Sequence, residues 1–253
     1  MNLPDYYFVA VMAAVLIGVS KGGFAASFNM VVMPMLALAT DPVHAAVIML
    51  PVMCVIDLFA VWTYGKKADF ALFKLLLAGA CIGLGVGALT FTTMNADAMR
   101  VLLGVIALLF GGRGLWQYLH TSKGKVLPRW VGFLAGAGGG FTSFITHAGS
   151  PPIQMYLLPM RMQKTLLHAT SVTLFATMNY LKLGIYGSIG QLSSGRWLES
   201  AALLPWVPVG FFLGVYLHKK VSDRWFYLLS YVALIFMGCR LLYTGANALW
   251  FGG

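Results

Sequence analysis

The chain has 253 residues and a formal net charge of +10, with 60% hydrophobic residues, 9% charged residues and a mean hydropathy of +0.82. Since a soluble domain carries about a quarter charged residues, this composition excludes an ordinary soluble protein and indicates a polytopic membrane protein. Nucleic acid is not an expected partner, because the Lys and Arg residues form no basic stripe with interleaved aromatic residues and fall mainly between apolar runs.

The apolar runs predict two kinds of membrane segment. The first run, MNLPDYYFVAVMAAVLIG, has no basic start, so we expect it to belong to the mature fold. Segments 6–39 and 129–158 are each interrupted near the middle by glycines, which predicts two half-helices of about 14 residues, or about 21 Å. The other runs match the roughly 20 residues that a crossing helix needs. They cover residues 43–64, 71–92, 98–119, 165–187, 197–217 and 223–244.

The two halves of the chain resemble each other. KGGF at 21–24 aligns with GGGF at 138–141, Asp57 aligns with Asn179, and Tyr64-Gly65 aligns with Tyr186-Gly187. These matches predict an internal repeat. The predicted organisation is a first transmembrane repeat at 1–120, a cytoplasmic linker at 121–128 and a second transmembrane repeat at 129–253.

The basic residues decide between two topologies for the broken segments. If each segment is a re-entrant hairpin that returns to its own side, one membrane face collects nearly all basic residues between the helices, and the positive-inside rule makes that face cytoplasmic. That face holds Lys66, Lys67, Lys74, Lys123, Lys125, Arg129, Arg161, Lys164, Lys219, Lys220 and Arg224, and the other holds Arg100 and Arg196. If each segment crosses once, the basic residues divide almost evenly. The rule favours hairpins, with both termini in the periplasm.

The hairpin topology defines the predicted fold class. A hairpin followed by three crossings reverses the orientation of the next repeat. We therefore predict an all-α polytopic membrane protein of two inverted repeats, each with one re-entrant or broken helical hairpin plus three transmembrane helices. The hairpin tips would then enter from opposite sides and meet near the bilayer centre, where secondary transporters of this design bind substrate.

Glycines and a lysine at the hairpin tips indicate an anion site. A helix that restarts after a glycine turn exposes unpaired N–H groups and the positive end of its dipole. Two positive helix ends and a lysine favour an anion, although glycines in membrane helices more often allow close packing and the lysine could snorkel. The candidates are Lys21, Gly22 and Gly23 in the first tip and Gly139 and Gly140 in the second.

The second tip also carries short polar side chains. His147 and Ser150 can orient a bound anion, and a histidine can also carry a proton. The structural alternative for His147 is a hydrogen bond to a backbone carbonyl where Pro151 and Pro152 break the helix.

Three further polar residues lie inside apolar runs. Asp57 aligns with Asn179, and Lys182 lies one turn after Asn179. Ionisable groups at membrane depth are functional candidates, so we expect Asn179 and Lys182 to bind substrate and Asp57 or His147 to couple proton movement. An ion pair of Asp57 with Lys21 or with Lys182 is the structural alternative.

The order of three motifs resembles a known family. SKGGF, then GGGFTSFITHAGSPPIQMYLL, then TMNYLKLGIYGSIG are similar to the TauE/SafE sulfite exporter family, also called TSUP, and the resemblance spans essentially the whole chain. It implies an inner-membrane carrier that exports small organosulfur anions such as sulfite, sulfoacetate or related sulfonates. By position, the glycine turns, Asn179 and Lys182 would belong to the family's functional region. The stretch from His147 to Ser150 departs from a plainer glycine-rich sequence.

The predicted function is therefore a secondary transporter in a bacterial inner membrane. A passive anion channel, or a carrier of another small carboxylate anion, is the alternative. We expect no enzyme, because no HExxH, GxSxG or paired-aspartate arrangement is present, and no metal or cofactor, because Cys54, Cys81 and Cys239 lie singly. The expected partners are a small organosulfur anion and membrane lipid, and a homodimer is left open.

Overall fold

The computed structural model describes residues 6–24, 36, 39, 42–90, 96–120, 126–147, 149–188 and 194–251. All regular secondary structure in these ranges is helical, which confirms the predicted all-α class. The helices are α1 (Tyr7–Gly23), α2 (Pro42–Tyr64), α3 (Phe70–Thr90), α4 (Ala96–His120), α5 (Arg129–Thr146), α6 (Ser150–Leu157), α7 (Lys164–Ser188), α8 (Ser194–Leu203), α9 (Trp206–Lys220) and α10 (Asp223–Phe251). Short 3-10 helices cover Gly65–Lys67 and Leu158–Met160. The return of the first hairpin and linker residues 121–125 lie outside the described residues.

Several described helices are suited to a membrane. Judged by length and composition, three can cross: His44–Lys67, Phe70–Leu89 and Asp223–Ala248. Trp197–Leu203 and Trp206–Lys220 qualify only together, as a pair bent by 46°, where the sequence predicts one span at 197–217. Pro205 lies at this bend and supplies no N–H to continue the helix. α4 and α7 each have 25 residues, the length that a crossing needs, but they are not among the candidate spans found in the described residues.

The chain folds into two compact units, and each combines elements from both sequence halves. The first unit contains Met1–Lys74 and Thr165–Val221, and the second contains Leu75–Lys164 and Ser222–Gly253. The boundary at 121–128 therefore stays a prediction about the sequence repeat and does not describe a compact unit.

Glycines bring α1 against α9 in the first unit. A Cβ atom on Gly18 would lie 2.8 Å from the backbone nitrogen of Phe211, and one on Gly22 would meet the carbonyl of that same residue. Gly210 and Gly214 of α9 face α1 in the same way. Such spacing of small residues lets two membrane helices touch through their backbones. Gly18 lies beside Gly210 and Gly22 lies beside Gly214, so residue numbers rise in the same direction along both helices. α1 and α9 therefore run parallel.

The second unit contains a similar crossing between α3 and α5. A Cβ atom on Gly83 would meet the carbonyl of Ala137, and one on Gly140 would meet the carbonyl of Ala80. Gly79 of α3 and Gly136 of α5 also face the other helix, so each helix contributes two glycines that are four residues apart. In this unit α4 also packs along α10, where a Cβ atom on Gly104 of α4 would lie 2.7 Å from a backbone nitrogen of α10.

In the first unit α1 runs beside the full length of α2. At their beginnings the hydroxyl of Tyr6 lies 3.1 Å from His44 Nε2, and at their ends the hydroxyl of Tyr64 donates to the carbonyl of Gly22 at 2.8 Å. With 17 residues, α1 is about 25 Å long. It therefore ends beside the last turn of α2.

Candidate functional site

A buried charge cluster lies inside the first unit. Lys21 Nζ is 2.6 Å from Asp57 Oδ1, and the two side chains are 1% and 0% exposed. The amide of Asn179 donates to the other carboxylate oxygen, Oδ2, at 2.7 Å. The carboxylate thus receives one hydrogen bond from an ammonium group and one from an amide, which satisfies a charge that would otherwise be costly at this depth.

Three helices place these groups. Lys21 belongs to the last turn of α1, and helix side chains lean toward the N-terminus, so its ammonium group reaches back to Asp57 in the middle of α2. α7 supplies Asn179. The hydroxyl of Tyr180, the next residue, donates to the carbonyl of Cys54 at 2.9 Å and fixes α7 against α2 beside the cluster.

Lys182 adds a second amine to the cluster. It is buried on α7 one turn after Asn179 and interacts electrostatically with both Lys21 and Asp57. In the described part of this unit, these two lysines share one carboxylate. Whenever both lysines are protonated, the cluster carries a surplus positive charge, and such a buried surplus attracts a small anion.

The sequence left alternatives open for Asp57 and Lys21, and the structure distinguishes between them. Asp57 forms its ion pair with Lys21, so that alternative is confirmed. Lys21 does not snorkel to an aqueous surface, because it is fully buried. Asp57 and Asn179, which the repeat alignment pairs, hydrogen-bond directly to each other.

Gly22 and Gly23 are placed differently from the prediction. Both lie in the last turn of α1 and present carbonyl groups: Gly22 accepts from Tyr64, and Gly23 lies 2.8 Å from His218 Nδ1. They also pack against α9, where a Cβ atom on Gly23 would meet the carbonyl of Gly214. Their N–H groups thus lie within α1, and their part in binding an anion stays a prediction. Any half-helix that restarts after them lies outside the described residues.

Gly139 and Gly140 also lie within a helix, because α5 continues through the glycine run to Thr146. Their N–H groups are therefore inside a hydrogen-bonded helix and not at a helix start. Gly139 lets α6 approach, since a Cβ atom there would lie 2.7 Å from Ile153 Cδ1, while Gly140 lets α3 approach. The second break occurs later than predicted because the glycines are packed on two sides.

The second hairpin turns at His147. Its backbone is left-handed, with φ 53° and ψ 20°, and its N–H group donates to the carbonyl of Ser143 at 3.2 Å. α6 then begins at Ser150, and Pro151 and Pro152 in its first turn supply no N–H donors. The side chains of His147 and Ser150 are buried in the second unit. Their role in binding an anion stays a prediction.

A second group of polar side chains in the first unit was not predicted from the sequence. His168 and His218 are buried beside Tyr64 at the end of α1, with ring centroids 5.1 Å apart. The rule that ionisable residues in membrane segments are functional candidates would have found both histidines. Their meeting at the end of α1 depends on helices distant in sequence, so no local pattern shows it.

Comparison with protein families decides the class of this molecule. The family model of Sulfite exporter TauE/SafE matches residues 10–241, nearly the whole chain. The chain belongs to the TauE/SafE sulfite exporter family. Comparisons with curated proteins and with solved structures gave no match.

Membership of the TauE/SafE family indicates the class of protein in which the buried cluster lies. The family indicates membrane anion transport, in agreement with the resemblance seen in the motifs and with the apolar helices. The family is one of transporters, which is consistent with a protein that is not an enzyme. In a protein of an anion-transporter family, buried amines such as Lys21 and Lys182 are candidates for the substrate site.

Proposed function

We propose that this protein is a secondary transporter that exports small organosulfur anions such as sulfite, sulfoacetate or related sulfonates. The proposed binding site is the cluster of Lys21, Asn179 and Lys182, with Asp57 as its internal counter-ion. The observation that supports this most directly is the burial of two lysines around one carboxylate.

The balance of charge explains why the site would select an anion. Removing ions from water costs several kcal/mol per ion, and an ion pair offsets this only when the partners are close and hydrogen-bonded. Lys21 and Asp57 meet that condition. Lys182 adds positive charge, which a bound sulfonate or sulfite would compensate. The Asn179 amide, which donates to Asp57, gives the site a neutral donor that can orient an oxyanion.

The first unit supports the re-entrant topology. α1 runs parallel to both α2 and α9, so α2 and α9 end on the same side of this unit. Lys66 and Lys67 follow α2, while Lys219 and Lys220 end α9, and all are exposed. The hairpin topology places these residues on one membrane face, whereas the single-crossing topology separates them. We therefore keep the proposal of a bacterial inner-membrane protein with this face in the cytoplasm and both termini in the periplasm.

Two glycine crossings support the proposed duplication. The α1–α9 crossing and the α3–α5 crossing each use two glycines four residues apart on both helices. Each joins a helix that opens a sequence half to a helix from the other half. The same packing solution in both units is what a duplicated architecture leads us to expect.

The second hairpin carries the remaining proposed site residues. His147 and Ser150 are buried polar groups at a helix break and stay in the proposal as substrate-binding residues. His147 and Asp57 stay in it as candidates for proton coupling.

Thermal stability against a panel of anions tests the proposed function. The panel contains sulfite, sulfoacetate, other sulfonates, acetate and chloride, and the purified protein is compared with Lys182→Met. A ligand at a hundred times its dissociation constant stabilises by about 2.7 kcal/mol. We expect a sulfur oxyanion to stabilise the wild type selectively and Lys182→Met much less. Stabilisation by acetate alone would favour a carboxylate carrier, and no selective stabilisation would contradict the site.

Reconstituted vesicles separate a carrier from a channel. We expect an internal load of the same sulfur anion to accelerate uptake of the labelled anion, since counterflow requires an alternating site. Single-channel currents without counterflow would instead identify a passive anion channel.

A further inference from the structure

The last turn of α1 is capped by side chains from other helices. The hydroxyl of Tyr64 in α2 donates to the carbonyl of Gly22 at 2.8 Å, and His218 Nδ1 in α9 lies 2.8 Å from the carbonyl of Gly23. These carbonyls have no partner within the helix, because it ends there. The cap therefore satisfies groups that burial would otherwise leave without hydrogen bonds.

His168 of α7 is the third side chain at the end of α1, and its contact is with Lys21. It hydrogen-bonds the backbone of Lys21. The centroids of the His168 and His218 rings are 5.1 Å apart, and their distances to the centroid of Tyr64 are 4.6 Å and 5.7 Å. Three buried rings from three helices thus surround the carbonyl end of α1.

The carbonyl end of a helix favours a cation. Its partial negative charge stabilises a protonated histidine. Broken helices in secondary transporters use such ends to hold coupling ions. At the end of α1 the Gly23 carbonyl already faces an imidazole donor. A proton on the His218 imidazole is a cation that this carbonyl end can stabilise.

The surroundings of His218 accommodate both of its protonation states. The carbonyl of Gly23 only accepts, so Nδ1 carries a hydrogen in the neutral ring, and Nε2 accepts from the hydroxyl of Thr165 at 3.2 Å. When a proton from water adds to the lone pair of Nε2, the new N–H donates to the same oxygen and the hydroxyl hydrogen rotates away. No other bond changes, so the proton can bind and leave without rebuilding the cap.

We propose that the His168–His218 pair is a proton-binding site that couples proton movement to anion transport, an inference that rests on the proposed transport function. Two charged imidazoles so close would repel, so the pair takes one proton. His168 holds the backbone of Lys21, whose ammonium group pairs with Asp57. Proton binding at the cap therefore alters how firmly α1 holds its anion-binding lysine.

Few other charged groups face this pair. From α2 the titratable neighbour is Tyr64, and from α1 it is Lys21, whose ammonium group is directed at Asp57. The nearby basic residues at the ends of the helices are all exposed: Lys66, Lys67, Lys219 and Lys220. The pair lies at this basic end of the unit, and we expect it to exchange its proton with this side, which we assign to the cytoplasm.

Anion flux in reconstituted vesicles under an imposed pH gradient tests this inference. A gradient of one pH unit is worth about tenfold in accumulation for one coupled proton. We expect wild-type protein to accumulate sulfite or a sulfonate in response to the gradient. His218→Asn keeps a donor for the Gly23 carbonyl but cannot be protonated, so we expect it to retain measurable counterflow and lose the response. A full response in His218→Asn and in His168→Asn would overturn the proposal.

Two controls separate this inference from its alternatives. His120 is exposed at the end of α4, so His120→Asn removes a histidine elsewhere and should leave the gradient response intact. Tyr64→Phe removes a cap hydrogen bond without removing an imidazole, so it should lower stability yet keep the response. If no anion moves at all, the proposed transport function fails. The proton-binding site is then tested by the thermal stability of the wild type and of His218→Asn between about pH 5 and 8. A pH dependence that His218→Asn does not change would overturn it.

Discussion

Lys21 and Asp57 form an ion pair of 2.6 Å that is shielded from solvent on both sides. The pair joins the end of α1 to the middle of α2, and Asn179 holds it from α7. The site is therefore assembled from three helices. Its stability and its anion affinity can be tested separately, because the ion pair can be replaced by neutral residues that keep the packing.

Removing one partner of the ion pair should be strongly destabilising. We expect Lys21→Met to lower the free energy of unfolding by about 3–5 kcal/mol, since it leaves a buried carboxylate without its ammonium partner. The double variant Lys21→Met/Asp57→Asn should recover most of that loss but not anion binding. Thermal melts in detergent, with and without sulfite, measure both effects.

The matched control for this prediction is another lysine–aspartate pair. Lys164 Nζ lies 3.8 Å from Asp223 Oδ1, and the aspartate is mostly exposed. Lys164→Met should change stability by no more than about 1 kcal/mol, because water already screens this pair. Equal losses in Lys164→Met and Lys21→Met would contradict the importance given to burial.

The glycine crossings predict opposite effects for the same substitution at different positions. Gly22→Ala and Gly140→Ala should each destabilise by about 1–3 kcal/mol, because the added Cβ meets a backbone carbonyl of a neighbouring helix. Gly85 and Gly184 have no atom within 4 Å of an added Cβ. Gly85→Ala and Gly184→Ala should be neutral or stabilise by up to about 1 kcal/mol, as alanine favours the helix. Thermal melts of the four variants check this, and similar shifts in all four would argue against close packing.

His147 allows the backbone and the side chain to be tested apart. Its φ of 53° is tolerated by Asn but strains a β-branched residue. We expect His147→Val to be less stable than His147→Asn by about 1–2 kcal/mol. If the imidazole also binds the anion, His147→Asn should keep its stability and lose ligand-induced stabilisation. Full stabilisation by the anion in His147→Asn would assign this residue to the turn alone.

The sequence allowed the all-helical class and the buried charges to be predicted, for one physical reason. Apolar runs must be long enough to span lipid, and a charge inside such a run stands out as Lys21, Asp57 and Lys182 do. The partners of these charges could be named only as alternatives, because the contact between α1 and α2 is tertiary.

The position of the second helix break was not predictable in the same way. Glycine both weakens a helix and lets other helices approach, and a sequence does not show which effect prevails. Around Gly139 and Gly140 the neighbours α3 and α6 pack on both sides, so the helix continues to Thr146. The cap at the end of α1 was also not predicted, because Tyr64 and His218 are far from Gly22 and Gly23 in sequence.

Affinity for the sulfur anion across a series of cluster charges tests the central claim most directly. Asp57→Asn removes the negative charge and Lys182→Met removes a positive one, while Lys182→Arg keeps it and serves as the control. We predict that Asp57→Asn binds the anion at least as tightly as wild type and that Lys182→Met binds it about tenfold or more weakly, or about 1.4 kcal/mol. Unchanged affinity in a folded Lys182→Met would contradict the account.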